Sequence, residues 1–333
     1  MLAIAAPLVL AGLAVPPGDP WLRIPAGNGP ATGKSVVLIS GDEEYRSEEA
    51  LPQLARLLAR QGFACTVLFA IDPGDGTICP NVTTNIPGLH LLDKADLMVI
   101  FTRFRNLPDE QMRHIADYVD SGGPIIGMRT ASLAFRITDG PYSKYSWDCT
   151  EKGWEGGFGR TVLGETWVNH HGVHGKEGPR GIPAPGQEKH PILRGIAPGT
   201  IFGPTDVYTV RMPLPGDSLP IVMGEVTETL DPDSPPVAAK NNPMMPVAWT
   251  RTYTGSRGKP ARVFTTTMGA SLDLLHEGTR RMLVNAALWA VGLEDRIPAA
   301  ADVTLVGGYR PTPFRFRSDA EWKPGKKPAE LRP

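Results

Sequence analysis

The sequence predicts an α/β protein with a doubly wound, mainly parallel sheet and long loop insertions. Two observations carry this. Continuous apolar runs of strand length alternate with amphipathic helical segments through the first third of the chain, as crossover connections between parallel strands require. Those runs are apolar throughout rather than at alternate positions, which marks strands covered on both faces. The length of 333 residues suits one large domain with additions. Hydrophobic content is 41% and charged content 21%, as in a folded soluble protein. The net charge of -1 lacks the basic field of a nucleic-acid binder. The 37 glycines and 34 prolines imply many ordered loops.

The chain opens with an apolar run, 1–14, in which the small residues Gly12 and Ala14 suit a signal peptidase. The run is too short to span a bilayer, and its small residues favour a signal peptide although a basic leading segment is lacking. Residues 1–18 are therefore read as a signal peptide of an exported protein, periplasmic or secreted; the alternative is a hydrophobic arm packed on the domain. No membrane span is expected. Residues 16–33 read as an extended lead-in.

The first strand is placed at 35–40 and runs into the acidic turn Gly41-Asp-Glu-Glu-Tyr-Arg46. Ser47 is placed as the cap of a helix with Glu48 and Glu49 in its first turn. Leu51, Leu54, Leu57 and Leu58 form its inner face, and Gly62 ends it. A second strand is expected at 65–69, a short helix at 89–92, and a third strand at 97–101 leading into Thr102-Arg-Phe-Arg105. A helix over 109–121 follows, with Met112, Ile115 and Val119 inward. The fourth strand, 124–128, runs into Gly127-Met-Arg-Thr-Ala131 and then a helix. That turn has the form of a nucleophile elbow, but its central residue is Arg129, which cannot serve as a nucleophile.

Beyond 142 the pattern loosens. Strands are expected at 206–211 and 221–226. An antiparallel pair at 247–251 and 262–267 is joined through 255–258, and a helix is expected over 279–291. The segment from 298 onward is Pro-rich and basic, read as a tail lying on the surface. Cys65 is placed in the core; Cys79 and Cys149 lie in loops and would pair only in an oxidising compartment.

Ligands of open α/β sheets bind outside the carboxyl ends of the strands. That edge carries Asp42, Glu43, Glu44 and Tyr45 after the first strand, Arg103 and Arg105 after the third, and Arg129 and Thr130 after the fourth. Glu43 and Glu44 are candidate proton-transfer groups, because burial can split the proton affinities of paired carboxylates. Being adjacent, only one is expected to face a pocket. The alternative is that one pairs with Arg129 or Arg103 as scaffolding. Arg129 and Arg103 are candidate anchors for an anionic or keto group. In the segment 167–175, His171 is the candidate catalytic histidine, with His170 and Trp167 as ligand contacts. His171 and His174, three apart, form a minority alternative as ligands of a divalent metal. A complete zinc signature is absent, so no cofactor or metal is assigned. Trp147, Trp154 and Trp167 are candidate sugar platforms. His190 precedes proline and is read as structural.

Five motifs occur in an order similar to that of ThuA-like (trehalose-utilisation) domains: Gly127-Met-Arg-Thr-Ala131, Trp167-Val-Asn-His-His-Gly172, His190-Pro-Ile-Leu-Arg-Gly195 followed by Thr205-Asp-Val-Tyr208, Pro246-Val-Ala-Trp-Thr-Arg251, and Arg262-Val-Phe-Thr-Thr-Thr-Met-Gly269. The likeness spans residues 33–295 as one domain, with 296–333 as the tail. It implies a flavodoxin-like, class I glutamine amidotransferase-like fold and a link to carbohydrate metabolism. It also implies Asp206 as a site residue. Arg129 and the pair Ala270 and Ser271 stand where that pattern carries histidine. Glutamine-dependent amidotransfer is excluded, since position 129 holds no cysteine. The expectation is a sugar-active enzyme, hydrolase or lyase/isomerase in type, acting on a saccharide or keto-sugar. The alternative is a non-catalytic saccharide-binding or partner-docking module. Self-association as a homo-oligomer is left open.

Overall fold

The structure is a computed structural model and describes residues 18–331. The signal-peptide reading of 1–18 therefore lies almost wholly outside the described residues. Strands β1 (Trp21–Ile24), β2 (Ser35–Gly41), β3 (Ala64–Phe69), β4 (Leu97–Thr102) and β5 (Ile125–Met128) form the first half of the chain. Helices α1 (Ser47–Arg60) and α2 (Asp109–Asp120) connect them. The second half supplies β6 (Asn169–His170), β7 (Pro179–Pro183), β8 (Tyr208–Thr209), β9 (Leu219–Val226), β10 (Met245–Thr254), β11 (Pro260–Thr266) and α3 (Glu277–Ala290).

The main sheet has nine strands in the order β1-β3-β2-β4-β5-β11-β10-β9-β7. Its centre, β3-β2-β4-β5-β11, is parallel throughout and has the strand order of a flavodoxin-like doubly wound sheet. Alternation within single strands explains why the runs are apolar at every position. Val36 and Leu38 of β2 enter one core with α1 and α3. Val37 and Ile39 enter the other with α2. Each successive side chain thus meets a different buried layer.

The chain leaves β2 toward β3 on one side and returns to β4 on the other. A crevice opens where the order reverses, at the carboxyl ends of β2 and β4. Beyond β11 the sheet continues antiparallel through β10, β9 and β7. A separate two-stranded sheet pairs β6 with β8, setting His170 opposite Tyr208.

Several expectations need correction. The lead-in contains β1, which pairs antiparallel with β3 at the sheet edge. Ser47 does not cap α1: its hydroxyl meets Ser40 Oγ at 2.8 Å and accepts from the Asp42 amide at 3.0 Å, bracing the acidic turn. After Arg129 the chain makes only a 3₁₀ turn, Arg129–Leu133. The strand expected over 206–211 shrinks to Tyr208–Thr209. Cys79 and Cys149, whose pairing the sequence leaves open, are free thiols. The tail crosses the edge at which the parallel strands end. Tyr309 donates to the Ser271 carbonyl at 2.7 Å, and Thr312 makes two 2.7 Å bonds to Glu49. The Arg315 amide donates to the Glu44 carbonyl at 3.0 Å.

Candidate active site

Three tight turns at the strand ends build the site. Among the described residues, the non-glycine residues with positive φ are Arg46 (62°), Phe104 (50°) and Arg129 (46°). They follow β2, β4 and β5 in turn. The left-handed region costs a residue with a Cβ roughly 1–2 kcal/mol. All three therefore place local backbone strain at the carboxyl edge of the parallel strands.

The turn after β2 is organised by Asp42, which is fully buried. Its carboxylate accepts from the Glu44 and Tyr45 amides at 2.7 and 2.5 Å and from the Thr130 hydroxyl. Burial raises its proton affinity. Asp42 and Thr130, which the sequence places at the ligand-binding edge as candidate contacts, thus have their polar atoms committed within the turn; Thr130 still lines the cleft. Glu43 is clamped by two guanidinium groups, with Arg103 on one oxygen and Arg105 on the other at 2.6 Å. Glu43 is therefore the scaffolding carboxylate of the pair, and Glu44 is the one that faces the cleft.

Arg129 is 1% exposed and does not reach the cleft. Its guanidinium lies between the rings of Tyr45 and Tyr208, 4.3 and 3.9 Å from their centroids. It donates to the carbonyls of Asp206 and Thr267, both at 2.8 Å, and to Asp206 Oδ1 at 2.6 Å. The expected partner, a glutamate of the first turn, is replaced by Asp206. Burial drives the Asp206 carboxyl up. The Arg129 guanidinium, with hydrogen bonds from two histidines, outweighs burial and holds it well below the usual carboxylate range.

Those histidines are His170 and His174. His170 Nδ1 meets Asp206 Oδ2 at 2.5 Å, and His174 Nδ1 meets Asp206 Oδ1 at 3.1 Å. His174 Nε2 lies 3.4 Å from Glu44 Oε1. The bonds to Asp206 and then Glu44 raise the His174 pKa to about 9. His171, expected as the catalytic histidine, points elsewhere: its Nε2 meets the Lys240 carbonyl at 2.6 Å. β6 ends at His170 and the chain bends at His171, so one of the two rings faces Asp206 and the other the Lys240 carbonyl. No sequence signal distinguishes which.

Above this cluster opens a cleft of about 360 Å³. Phe104, Trp147, Trp167 and Phe316 contribute aromatic walls, and Arg103 and Arg136 contribute charge. The Arg103 guanidinium is sandwiched between Phe104 and Phe316, 4.6 and 5.0 Å from their centroids. Trp154 instead packs on Tyr145, with centroids 4.7 Å apart. His190 is structural: its Nδ1 accepts from the Ile192 amide at 3.2 Å. Phe104 and Phe316 are not marked as site residues by the sequence, because nothing local marks an aromatic residue as a wall of a site built by distant loops.

A family model described as ThuA, trehalose utilisation, matches residues 35–290. The chain belongs to the ThuA family. That description ties this ThuA chain to carbohydrate metabolism. ThuA-like proteins of Parabacteroides merdae ATCC 43184 and Bacteroides uniformis ATCC 8492 are among the similar solved structures. The first is 14% identical over 78% of this chain and 90% of its own, with a TM-score of 0.47. The second is 15% identical over 80% and 95%, with a TM-score of 0.49. An exo-β-1,4-mannosidase, Op5Man5 of Opitutaceae bacterium strain TAV5, is 10% identical over 77% of this chain and 36% of its own, at a TM-score of 0.33. No curated protein matches in sequence. In this ThuA chain Arg129, standing where the resemblance places histidine, serves as the buried anchor of Asp206. The imidazoles of the site come from the insertion, at His170 and His174.

Proposed function

We propose that this protein is an exported, sugar-active enzyme of hydrolase or lyase/isomerase type, and that its cleft takes a saccharide or keto-sugar. The observation that carries the reading is the juxtaposition of Glu44 and His174 at the floor of an aromatic-walled cleft. Side by side, a carboxylate and an imidazole held cationic at neutral pH can divide the two halves of a proton transfer. Glu44 takes or returns the proton. The positive charge of His174 stabilises the oxygen on which negative charge develops. Asp206 and Arg129 hold that imidazole in place. Trp147, Trp167 and Phe316 offer flat apolar faces of the kind that suits the C–H faces of a sugar ring.

The test is turnover of a panel of glycosides and their keto derivatives by the wild type, Glu44→Gln and His174→Ala. Loss of a positioned proton-transfer group costs about 10²–10⁴-fold in rate, so both variants are expected to fall at least about 100-fold. Unchanged turnover in both would sink the assignment. The second reading, a saccharide-binding module, is favoured by one feature: the elbow residue Arg129 is wholly consumed by structure. Saturable binding without turnover by the wild type would establish that reading instead.

A further inference from the structure

The floor of the cleft holds more converging ligand atoms than a proton transfer uses. His170 and His174 both direct Nδ1 at one carboxylate, that of Asp206. One nitrogen or oxygen from each residue lies within 4.8 Å of the other two. No other group of histidine, cysteine and carboxylate side chains converges this way among the described residues. A tetrahedral ion at about 2.0–2.2 Å from its ligands needs them about 3.3–3.6 Å apart, so small side-chain rotations suffice.

We propose that His170, His174 and Asp206 form a binding site for a first-row divalent transition metal of the zinc type, with its remaining positions open to the cleft. Two imidazoles and one carboxylate select zinc or its neighbours over magnesium and calcium, which prefer all-oxygen shells. Three protein ligands with an open fourth position are the pattern of a reactive rather than a purely structural ion. Both imidazole side chains are about one-third exposed, which leaves an entry path.

The surroundings already supply the outer contacts that such ligands need. Arg129 and its two tyrosine neighbours fix the Asp206 carboxylate from behind. Glu44, at 3.4 Å, orients His174 through the nitrogen that does not face Asp206. The Arg129 guanidinium opposes a nearby cation, and the Glu44 carboxylate offsets it on the cleft side. The ion would take the place of the hydrogen bonds that His170 and His174 direct at Asp206. It would then be the positive charge that polarises a ligand oxygen. Ion content is read without any substrate, so failure here is separate from failure of the saccharide reading.

The experiment uses full-length, tag-free protein stripped with chelator, dialysed, and titrated calorimetrically with zinc, manganese or magnesium chloride. Bound metal is then counted by mass spectrometry. One zinc per chain is expected, with magnesium failing to bind. His170→Ala and His174→Ala should each weaken zinc binding by at least about 10–100-fold. His171→Ala should bind like the wild type, since its ring is committed to Lys240. Both substituted imidazoles are partly exposed, so the variants are expected to fold, and far-ultraviolet circular dichroism checks this. Fewer than about 0.2 zinc per chain, equal binding of magnesium, or full affinity in the folded His170→Ala/His174→Ala double variant would each overturn the proposal.

Discussion

The ion pair of Arg129 with Asp206 makes the most exacting prediction, because both side chains are fully buried. Arg129→Met removes the donors to Asp206 Oδ1 and to the carbonyls of Asp206 and Thr267, leaving a buried carboxylate that only His170 and His174 still contact. Breaking a buried pair from one side costs about 3–5 kcal/mol. Asp206→Asn keeps the shape but strips Arg129 of its counter-charge, so its cost is of the same order. The double variant buries neither charge. Its cost should fall short of the sum by about 2–3 kcal/mol, the upper part of the range for residues in direct contact. Urea unfolding of the four proteins at pH 7 measures this cycle. Single-variant costs that add to within about 0.5 kcal/mol would refute the idea that Arg129 anchors Asp206. Arg129→Lys should recover little, since an ammonium cannot make three divergent contacts while filling the slot between two rings.

Other outcomes follow from the same structure. The Glu48 side chain, 9% exposed, lies beside Arg46, and its removal from solvent raises its pKa from 4.5 to about 7. The unfolded chain thus ionises it first, and stability falls as pH rises between those values, by about 3 kcal/mol in all. Glu48→Gln should therefore melt higher than the wild type at pH 8 and alike at pH 4, as scanning calorimetry would read. Gly159→Ala would place a Cβ 2.0 Å from the Ser132 carbonyl oxygen. Because that atom is backbone in the elbow turn, a loss of at least about 2 kcal/mol in urea unfolding is expected. Phe316, 54% exposed, should be dispensable for stability. Phe316→Ala should nonetheless weaken ligand binding about 2–10-fold in titration calorimetry, the worth of one aromatic contact. Thiol titration should count three free cysteines in denatured protein, with Cys149 reacting first in the folded state because Cys65 and Cys79 are buried.

The alternation of apolar runs and helices was enough to specify the sheet's centre, because a strand buried on both faces must be apolar at every position. The pairing of β10 with β11 was legible for a similar local reason: two β-rich runs flank a short glycine-containing link. The acidic turn after β2 and the arginines after β4 and β5 were placed at the correct edge, since strand direction in a doubly wound sheet dictates where loops collect. What the sequence did not determine was pairing across distance. Arg129 pairs with Asp206 rather than the glutamates of the first turn because the segment leading into β8 brings that aspartate, 77 residues away in the chain, against its guanidinium. The choice of His170 over His171 followed from the bend of the chain just beyond β6, which turns the His171 ring to the Lys240 carbonyl. Phe316 became a wall of the cleft because the tail doubles back over the ends of the parallel strands. Local propensity and periodicity act within a few residues and settle the elements. Charge neutralisation and burial act through space and were settled only when the fold closed.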